Sequence, residues 1–342
     1  MDYTYVEIKR QPQSFREALS TVQGMKSDLR ALFTESVDEV VFAGCGTSYN
    51  LALSAAHTFQ TVTQIPARGV PSSEVFLFPQ GIFLPCRRYL LVAVSRSGET
   101  SETVQALRFF TENYQGKTLG VTCERDSHLA RISSLALVLP FAHEESVVMT
   151  QSFSTMLLSL TALALLLQEE GENLDLLPEL LQQALNTHEE TVKNLAEQDT
   201  FTKFIFLGNG PYYGIAWEGS LKLKEMSLTP TETFHFLEFR HGPKSIVDEQ
   251  TLIIALTSER AFALERELLK EMIDLGAILF HLGKVTLQLS QTVEILFPEN
   301  GITDISLPLL DVPFLQLLGY FRAKKRGLDP DHPHNLTKVV KL

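Results

Sequence analysis

The sequence has few cysteines and no excess of basic charge. None of the three cysteines, Cys45, Cys86 and Cys123, belongs to a CxxC or Cys/His ligand pattern, which disfavours a disulfide framework and a zinc site. Lys and Arg number 29 against 41 Asp and Glu, for a net charge of −12. A broad electrostatic surface for nucleic acid is therefore not expected, and any anionic ligand has to be held by a local site.

Signals for a membrane or for secretion are also missing. Residues 1–4 (MDYT) have neither the basic start nor the apolar core of a signal peptide. The longest apolar run, 156–167, is too short to span a bilayer, and predicts a helix buried in the core or in a subunit interface. At 342 residues and 44% apolar content, the chain is long enough for two domains with sizeable cores. We expect a cytoplasmic protein with no membrane partner.

The segment 92–103 (VAVSRSGETSET) joins a predicted buried strand, 89–94, to a predicted helix. A sharp turn of this kind leaves backbone N–H groups pointing at whatever lies in the turn, and the helix dipole favours an anion there. Ser95, Ser97 and Thr100 add donors, Gly98 permits close approach of the backbone, and Arg96 supplies charge. The pattern predicts a site for a small phosphate. An ordinary capped turn, with Ser97 as the helix N-cap, is the alternative.

Apolar strands alternate with helices along the chain. The predicted strands are 40–43, 89–94, 118–122, 135–139, 204–207 and 252–256. A leading helix is predicted over 12–33, and the Glu-, Gln- and Leu-rich segment 169–200 predicts long connecting helices. The alternation predicts an α/β fold of two doubly wound parallel sheets, with ligands at the carboxyl ends of the strands.

The second half repeats the first in a degenerate form. Residues 204–210 (FIFLGNG) repeat the arrangement of 40–46 (VVFAGCG) at an offset of 164, but 259–261 (ERA) replace the hydroxyl-rich turn. We therefore expect one intact phosphate site per chain. The predicted division is a leading helical segment (1–36), a first, phosphate-binding domain (37–168), connecting helices (169–200), a second domain (201–328) and a C-terminal active-site tail (329–342).

Three polar segments of the second half are candidates for chemistry. In the predicted helix 216–226, spacings of three, four and seven place Glu218, Lys222 and Glu225 on one face, although a solvated ion-pair stripe has the same pattern. The loop 239–244 (FRHGPK) carries His241. Histidine side chains can transfer protons near neutrality, and a structural role is the alternative.

The third segment is the tail 329–338 (DPDHPHNLTK). Its two His and two Asp residues suggest a metal site, but interleaved prolines stiffen the segment and no matching cluster is evident, so no metal is expected. A nicotinamide cofactor is not expected either, because the Gly44-x-Gly46 turn lacks the third glycine of a dinucleotide fingerprint.

Together these motifs resemble the tandem sugar isomerase (SIS) domain family. The resemblance extends over nearly the whole chain to the isomerase half of glucosamine-6-phosphate synthase, and to the stand-alone SIS-type glucosamine-6-phosphate deaminases. The matching segments are 44–50 (GCGTSYN), 95–100 (SRSGET), 218–225 (EGSLKLKE), 241–243 (HGP) and 335–338 (NLTK).

The resemblance implies a role for each candidate site residue. Ser95, Ser97 and Thr100 would hold a sugar 6-phosphate, with Arg96, which replaces a glutamine of the synthase, strengthening that hold, and Thr47 and Ser48 would contact the sugar. The catalytic residues would be Glu225, which moves a proton between C1 and C2, His241, which opens the ring, and Lys338, which reaches the open-chain carbonyl. In the family that histidine serves the neighbouring subunit, which implies a homodimer.

Departures from the synthase bear on the reaction. Residue 2 is Asp, and the N-terminal cysteine of an ammonia-generating glutaminase half is missing, so ammonia release is more plausible than ammonia fixation. Gln151 replaces a lysine of the synthase, and 144–154 and 239–244 are more similar to the deaminases. The expected reaction converts glucosamine 6-phosphate and water to fructose 6-phosphate and ammonia.

Other functions fit the same motifs. A fructosamine-6-phosphate deglycase needs room for an amino-acid leaving group, a galactosamine-6-phosphate deaminase differs in one epimeric centre, and a ketose/aldose isomerase releases no ammonia. A non-catalytic sugar-phosphate sensor is disfavoured, because such regulators usually carry a basic helix-turn-helix segment and none is evident.

Overall fold

The chain divides into two units. The computed structural model describes residues 2–168, 172–298 and 301–340. The N-terminal unit comprises Arg10–Asp175 and the chain from Thr337 onward, and the C-terminal unit comprises the chain up to Lys9 and Leu176–Leu336. Each unit contains one five-stranded sheet in which all strand pairs are parallel. The predicted α/β class with two doubly wound parallel sheets is confirmed.

The first sheet has the strand order β2-β1-β3-β4-β5. Its elements and the helices around them are α1 (Tyr3–Gly24), α2 (Lys26–Ala31), β1 (Glu39–Gly44), α3 (Thr47–Thr63), β2 (Ala67–Pro71), α4 (Ser72–Leu77), β3 (Tyr89–Val94), α5 (Ser101–Asn113), β4 (Gly116–Thr122), α6 (His128–Ile132), β5 (Leu135–Val138) and α7 (Gln151–Leu166). The strands on either side of β1 are β2 and β3, so the order reverses between β1 and β3. Ligands of doubly wound sheets bind at this switch point.

Strands β1 and β3 are buried on both faces. Val41 and Leu91 belong to the apolar cluster that includes residues of α4 and α5, whereas Phe42 points to the opposite face and meets Phe59 of α3 at 5.7 Å between ring centroids. Burial on both faces explains the continuous apolar runs of these strands. Each large apolar side chain buried in this way contributes about 1.5–3 kcal/mol.

The second sheet has the order β10-β9-β8-β6-β7, which is the order of the first sheet with strands counted from β6. Its elements and the helices around them are α8 (Leu177–Ala196), β6 (Lys203–Gly208), α9 (Pro211–Ser227), β7 (Thr231–Phe234), α10 (Phe236–Phe239), β8 (Thr251–Leu256), α11 (Phe262–Asp274), β9 (Ile278–Gly283), β10 (Thr292–Leu296) and α12 (Leu307–Lys325). The register agrees as well: Phe206 pairs with Ile254 as Phe42 pairs with Val92. The repeat read from the sequence is therefore a repeat of the fold.

Several predicted helices have different bounds in the structure. The leading helix predicted over 12–33 begins earlier, because α1 runs from Tyr3 through Pro12 and its first turn is capped by the distant Asp331. In place of several connecting helices over 169–200, the described part contains the single α-helix α8, and 169–171 lie outside the described residues.

The apolar run 156–167 falls almost wholly in α7. Most of its side chains are buried within this chain, so the run leaves little exposed apolar area for a partner subunit. Within the described ranges, no helix is both long and apolar enough to cross a bilayer.

Candidate active site

The turn after β3 is built around a left-handed glycine. Gly98 has φ +62°, and a Cβ atom there would lie 2.2 Å from the Ser127 hydroxyl oxygen. The Gly98 amide donates to the Ser95 hydroxyl at 3.1 Å, and the Ser95 and Thr100 hydroxyls are 3.1 Å apart. Only glycine allows the chain to turn this tightly, and the turn brings the predicted hydroxyl groups together.

Ser97 is not the N-cap of α5. The N-cap position belongs to Thr100, whose side chain does not cap the helix, and the Ser97 hydroxyl accepts the Glu99 amide at 3.2 Å. The simple capped-turn interpretation is therefore wrong, because the capping position is displaced by three residues. Accepting one N–H leaves the Ser97 hydroxyl its proton to donate, so this group remains able to bind an anion.

The turn after β1 meets the turn after β3. Thr47 and Ser48 are buried at the start of α3, immediately after Gly46, which has φ +53°. Cys45 Sγ lies 3.7 Å from the hydroxyl of Thr103 in α5, and β1 and β3 are adjacent strands. The sequence-predicted sugar and phosphate segments thus share the switch point of the first sheet.

The side chain of Arg96 leaves the turn. Its guanidinium pairs with the Glu144 carboxylate at 3.1 Å and donates to the carbonyl oxygens of Val147 at 2.9 Å and Lys338 at 3.1 Å. Weaker contacts of the same group reach the Ser146 and Val148 carbonyls at 3.4 and 3.2 Å. Its role as a phosphate ligand stays a prediction, and these contacts favour another role.

Glu144 is a functional candidate that sequence reasoning missed. Its carboxylate is fully buried and accepts the amides of Thr150 and Ser152 at 2.6 and 3.1 Å, at the start of α7. The Ser152 hydroxyl donates to it at 2.6 Å. A carboxylate is favoured at a helix N-terminus, so Glu144 holds the 144–152 loop and the Arg96 side chain to one point. The only sequence signal is a polar stretch ahead of an apolar helix.

Lys222 of α9 is enclosed by two carboxylates. Its side chain is 1% exposed, lies 3.4 Å from Glu218, and is in direct contact with the Glu225 carboxylate. The solvated-stripe interpretation is therefore wrong, because this face of α9 is covered by the fold. Burial alone would lower the pKa of Lys222, but the two carboxylates raise it overall. Lys222 therefore stays cationic, and Glu225 beside it is partly buried, with 19% of its side chain exposed.

Two glycines fix the position of α9. A Cβ atom on Gly219 would lie 2.8 Å from side-chain atoms of Leu315 and Phe206, and one on Gly319 would lie 3.1 Å from the Lys222 carbonyl oxygen. These glycines let α9 approach α12 and β6 more closely than any other residue allows. The ion-paired face of α9 is consequently held in a single orientation.

His241 lies on an exposed loop that is fastened to α11. Its neighbours Arg240 and Lys244 both pair with Glu271, at 2.5 and 3.7 Å. The His241 side chain itself is exposed. Glu271 was not predicted, because nothing in the local pattern shows that α11 lies against this loop.

Glu225 and His241 belong to segments on opposite faces of the second sheet. Helix α9 packs on the face that presents Phe206, as the Gly219 contact shows. Helix α10, which leads into His241, packs with Ile205 and Leu207 on the other face. The sheet therefore separates the segments that carry two of the sequence-predicted catalytic residues.

The C-terminal tail presents Lys338 with its side chain exposed and its carbonyl bound by Arg96. Of the tail residues that suggested a metal, Asp331 is occupied by the amides of Tyr3 and Thr4, and His332 lies 3.1 Å from Asp329. In the parts of the chain that the structure describes, no three His, Cys, Asp or Glu side chains are grouped as a metal ion would require.

Two sheets of this strand order, the first with a hydroxyl-rich turn at its switch point, are the tandem arrangement that the sequence resemblance implies. The SIS domain family matches residues 35–166. A solved structure described as glucosamine-6-phosphate deaminase from Thermotoga maritima is 33% identical, with a TM-score of 0.78, over 95% of this chain and 99% of that one. The chain belongs to the SIS domain family and is an enzyme of that family.

Other relatives carry different activities in their names. Glutamine–fructose-6-phosphate aminotransferase of Thermococcus kodakarensis is 30% identical over 98% of this chain, which spans 57% of that protein's length. The solved structure of tagatose-6-phosphate ketose/aldose isomerase from Escherichia coli matches with a TM-score of 0.87 over 97% of this chain and 97% of that one. At 22% identity, this match shows the fold alone. These relatives differ in the reactions that their names state, so similarity identifies the family and leaves the reaction open.

Proposed function

We propose that the chain is an amino-sugar 6-phosphate deaminase that converts glucosamine 6-phosphate and water to fructose 6-phosphate and ammonia. The observation that carries this proposal is the buried Lys222 held between Glu218 and Glu225. It places the partly exposed Glu225 carboxylate beside a fixed cation, and a positioned carboxylate can act as the base of a C1–C2 proton transfer. The 33% identity to the Thermotoga maritima deaminase over almost both full chains supports deamination as the outcome.

Substrate binding falls to the first sheet. Ser95, Ser97 and Thr100 and the amides at the start of α5 would hold the 6-phosphate, since hydroxyls and a helix N-terminus both favour an anion. Thr47 and Ser48, at the neighbouring turn, would contact sugar hydroxyl groups. The adjacency of β1 and β3 supports this division, because it places both turns at one switch point.

The chemical steps fall to three side chains. His241 would open the pyranose by moving a proton between the ring oxygen and the C1 hydroxyl, a role suited to imidazole near neutrality. Glu225 would take the C2 proton and return it to C1, which gives a C2 imine. Water then adds to C2 and ammonia leaves, so the product is fructose 6-phosphate. Lys338 would reach the open-chain carbonyl with its exposed amine.

We further propose that the active enzyme is a homodimer in which His241 serves the Glu225 site of the partner subunit. The separation of α9 and α10 by the second sheet supports this arrangement, because the two segments do not face each other within one chain. The exposure of His241 supports it as well, since a residue that completes a partner's site has to be accessible in the isolated chain.

The reaction is tested by measuring ammonia release from glucosamine, galactosamine and fructosamine 6-phosphates, with fructose 6-phosphate detected separately. We expect turnover with glucosamine 6-phosphate, and a fall of about a hundredfold or more in Glu225→Gln, which keeps the shape and removes the base. Amino-acid release from a fructosamine phosphate would replace the proposal with a deglycase. Isomerisation without ammonia would replace it with a ketose/aldose isomerase.

The dimer is tested by mixing two inactive variants. His241→Ala and Glu225→Gln subunits, unfolded and refolded together, should regain activity, because each mixed dimer then has one site with both lesions and one site with neither. Each variant refolded alone is the matched control. If His241 acts within its own chain, every site keeps one lesion and mixing restores nothing.

A further inference from the structure

Arg96 lies in the predicted phosphate turn, but its side chain is used elsewhere. The residue is 8% exposed, and its backbone carbonyl accepts the Cys123 amide at 3.0 Å, which fixes the turn to the end of β4. Its guanidinium contacts the Glu144 carboxylate and four backbone carbonyls. Both terminal nitrogens are therefore occupied by acceptors within the protein.

The charge of Arg96 is also balanced within the protein. Glu144 is fully buried and lies 3.1 Å from the guanidinium, so the pair is neutral as a unit. Turning Arg96 toward a phosphate would leave Glu144 buried without its counter-ion, which is strongly unfavourable. The arrangement therefore argues against a direct phosphate contact by this side chain.

One of the four carbonyls connects distant parts of the sequence. The Lys338 carbonyl accepts from Arg96 Nη2 at 3.1 Å, across 242 positions of the chain. The same nitrogen donates to Val147 at 2.9 Å, so the tail and the 144–152 loop are held by one planar group. The fixed fork of a guanidinium can serve acceptors in several directions, whereas an ammonium acts as a point charge.

We infer that Arg96 is a positioning residue that fastens the C-terminal tail to the phosphate turn, and so holds Lys338 beside the substrate that the turn binds. The benefit to catalysis rests on the proposed function, because it is there that Lys338 acts on the sugar. The fastening itself rests only on the contacts of Arg96. The two parts can therefore fail separately.

Limited trypsin digestion tests the fastening without any substrate. Trypsin cleaves after Lys338 only when the carbonyl of that residue is free to enter the protease, and Arg96 binds this carbonyl. We expect Arg96→Lys, which keeps the charge opposite Glu144, to raise the rate of cleavage between Lys338 and Val339 at least about tenfold. Mass spectrometry of the intact chain identifies the bond that is cut.

Binding of inorganic phosphate provides the crossed control. Arg96→Lys should bind phosphate within about twofold of the unaltered protein, and its activity loss should fall on kcat more than on KM. Ser97→Ala should do the reverse, with weaker phosphate binding and unchanged cleavage after Lys338. Calorimetry measures the binding, and thermal unfolding verifies that each variant is folded.

The outcomes are distinct. If Arg96→Lys weakens phosphate binding as much as Ser97→Ala and leaves tail cleavage unchanged, Arg96 is an anion ligand and the inference is overturned. If Arg96→Lys does not fold, the neutral pair Arg96→Gln with Glu144→Gln decides in its place, because it removes the fork without leaving a buried charge. If the unaltered protein acts on no amino-sugar phosphate, the proposed function fails while the cleavage and phosphate measurements still decide the role of Arg96.

Discussion

The turn after β3 and the turn after β8 occupy the same place in two sheets of the same order, but their amides have different partners. In the first turn, the Gly98 and Glu99 amides donate to the hydroxyls of Ser95 and Ser97. The second turn donates to carboxylates: the Ser258 amide to Glu265 at 2.8 Å, and the Glu259 and Arg260 amides to Asp304 at 2.9 and 3.2 Å. The amides of the second turn thus have carboxyl groups of the protein as their acceptors.

The register makes the two turns comparable residue by residue. Val94 pairs with Val121 and Leu256 with Leu282, so the next residues, Ser95 and Thr257, are equivalent. The Thr257 hydroxyl is held by His281 at 2.8 Å. A phosphate at the second turn would meet two carboxylates, which gives a physical reason to expect no phosphate site there. One copy of a duplicated fold can therefore lose a phosphate site when carboxyl groups of the protein take the place of the phosphate.

The largest contrast is expected at Gly98 and its equivalent Arg260. Gly98→Val should lower phosphate affinity at least about a hundredfold and cost roughly 3 kcal/mol or more, because of the positive φ and the collision with Ser127. Residues 257–262, all of which the structure describes, have no positive φ, so Arg260→Val should change stability by about 0.5 kcal/mol or less. Calorimetry measures the phosphate affinity of the two variants, and urea unfolding measures their stability. Equal losses in Gly98→Val and Arg260→Val would contradict the proposed difference between the turns.

The next contrast lies at Glu265 and its equivalent Thr103. Glu265→Ala should cost about 3 kcal/mol, because it leaves the Ser258 amide and the Asn209 side-chain amide without their buried acceptor. Thr103→Ala removes a hydroxyl bonded to Ser72 at 3.0 Å and should cost about 1 kcal/mol. Urea unfolding at pH 7 measures the difference. A smaller loss at Glu265 than at Thr103 would contradict the conclusion that this carboxyl group holds the second turn together.

The pH dependence of stability should reveal the same carboxylate. Burial raises the pKa of Glu265 from 4.5 to about 7, against the opposing hydrogen bonds from Ser258 and Asn209. The folded state therefore binds this proton more tightly than the unfolded state, so the contribution is fully present below pH 4.5 and is lost as the pH rises through 7. Between about pH 5 and pH 7 the loss amounts to roughly 2 kcal/mol. Glu265→Gln should remove this slope from chemical unfolding curves, and an unchanged slope would assign it to other groups.

The smallest contrast pairs Ser97 with its equivalent Glu259. Ser97→Ala should weaken phosphate binding by about 1 kcal/mol, the net value of one hydrogen bond. Glu259→Ala should leave phosphate binding unchanged, since its turn already holds Glu265 and Asp304. Isothermal titration with inorganic phosphate compares the two, and a loss in the second variant would indicate an unrecognised site at the second turn.

The central strands of the sheets could be predicted from runs of apolar residues, and the edge strand β2 could not. Strands β1 and β3 are continuous apolar runs because both of their faces are buried, whereas β2 (ARGVP) is a half-buried edge strand with no such signal. The same limit applies to the site. The hydroxyl turn is local and was predicted, but Glu144, Glu265 and Asp304 act on segments that only the folded chain brings to them.

The first turn of α1 depends on a residue that is distant in the sequence. The Asp331 carboxylate accepts the Tyr3 amide at 2.9 Å and the Thr4 amide and hydroxyl at 2.7 Å each. During synthesis at about 5–20 residues per second, those donors emerge tens of seconds before their acceptor exists. The N-terminal end of α1 therefore cannot be capped until Asp331, 327 residues after Thr4, has been made, and we expect it to become ordered later than the rest of the helix.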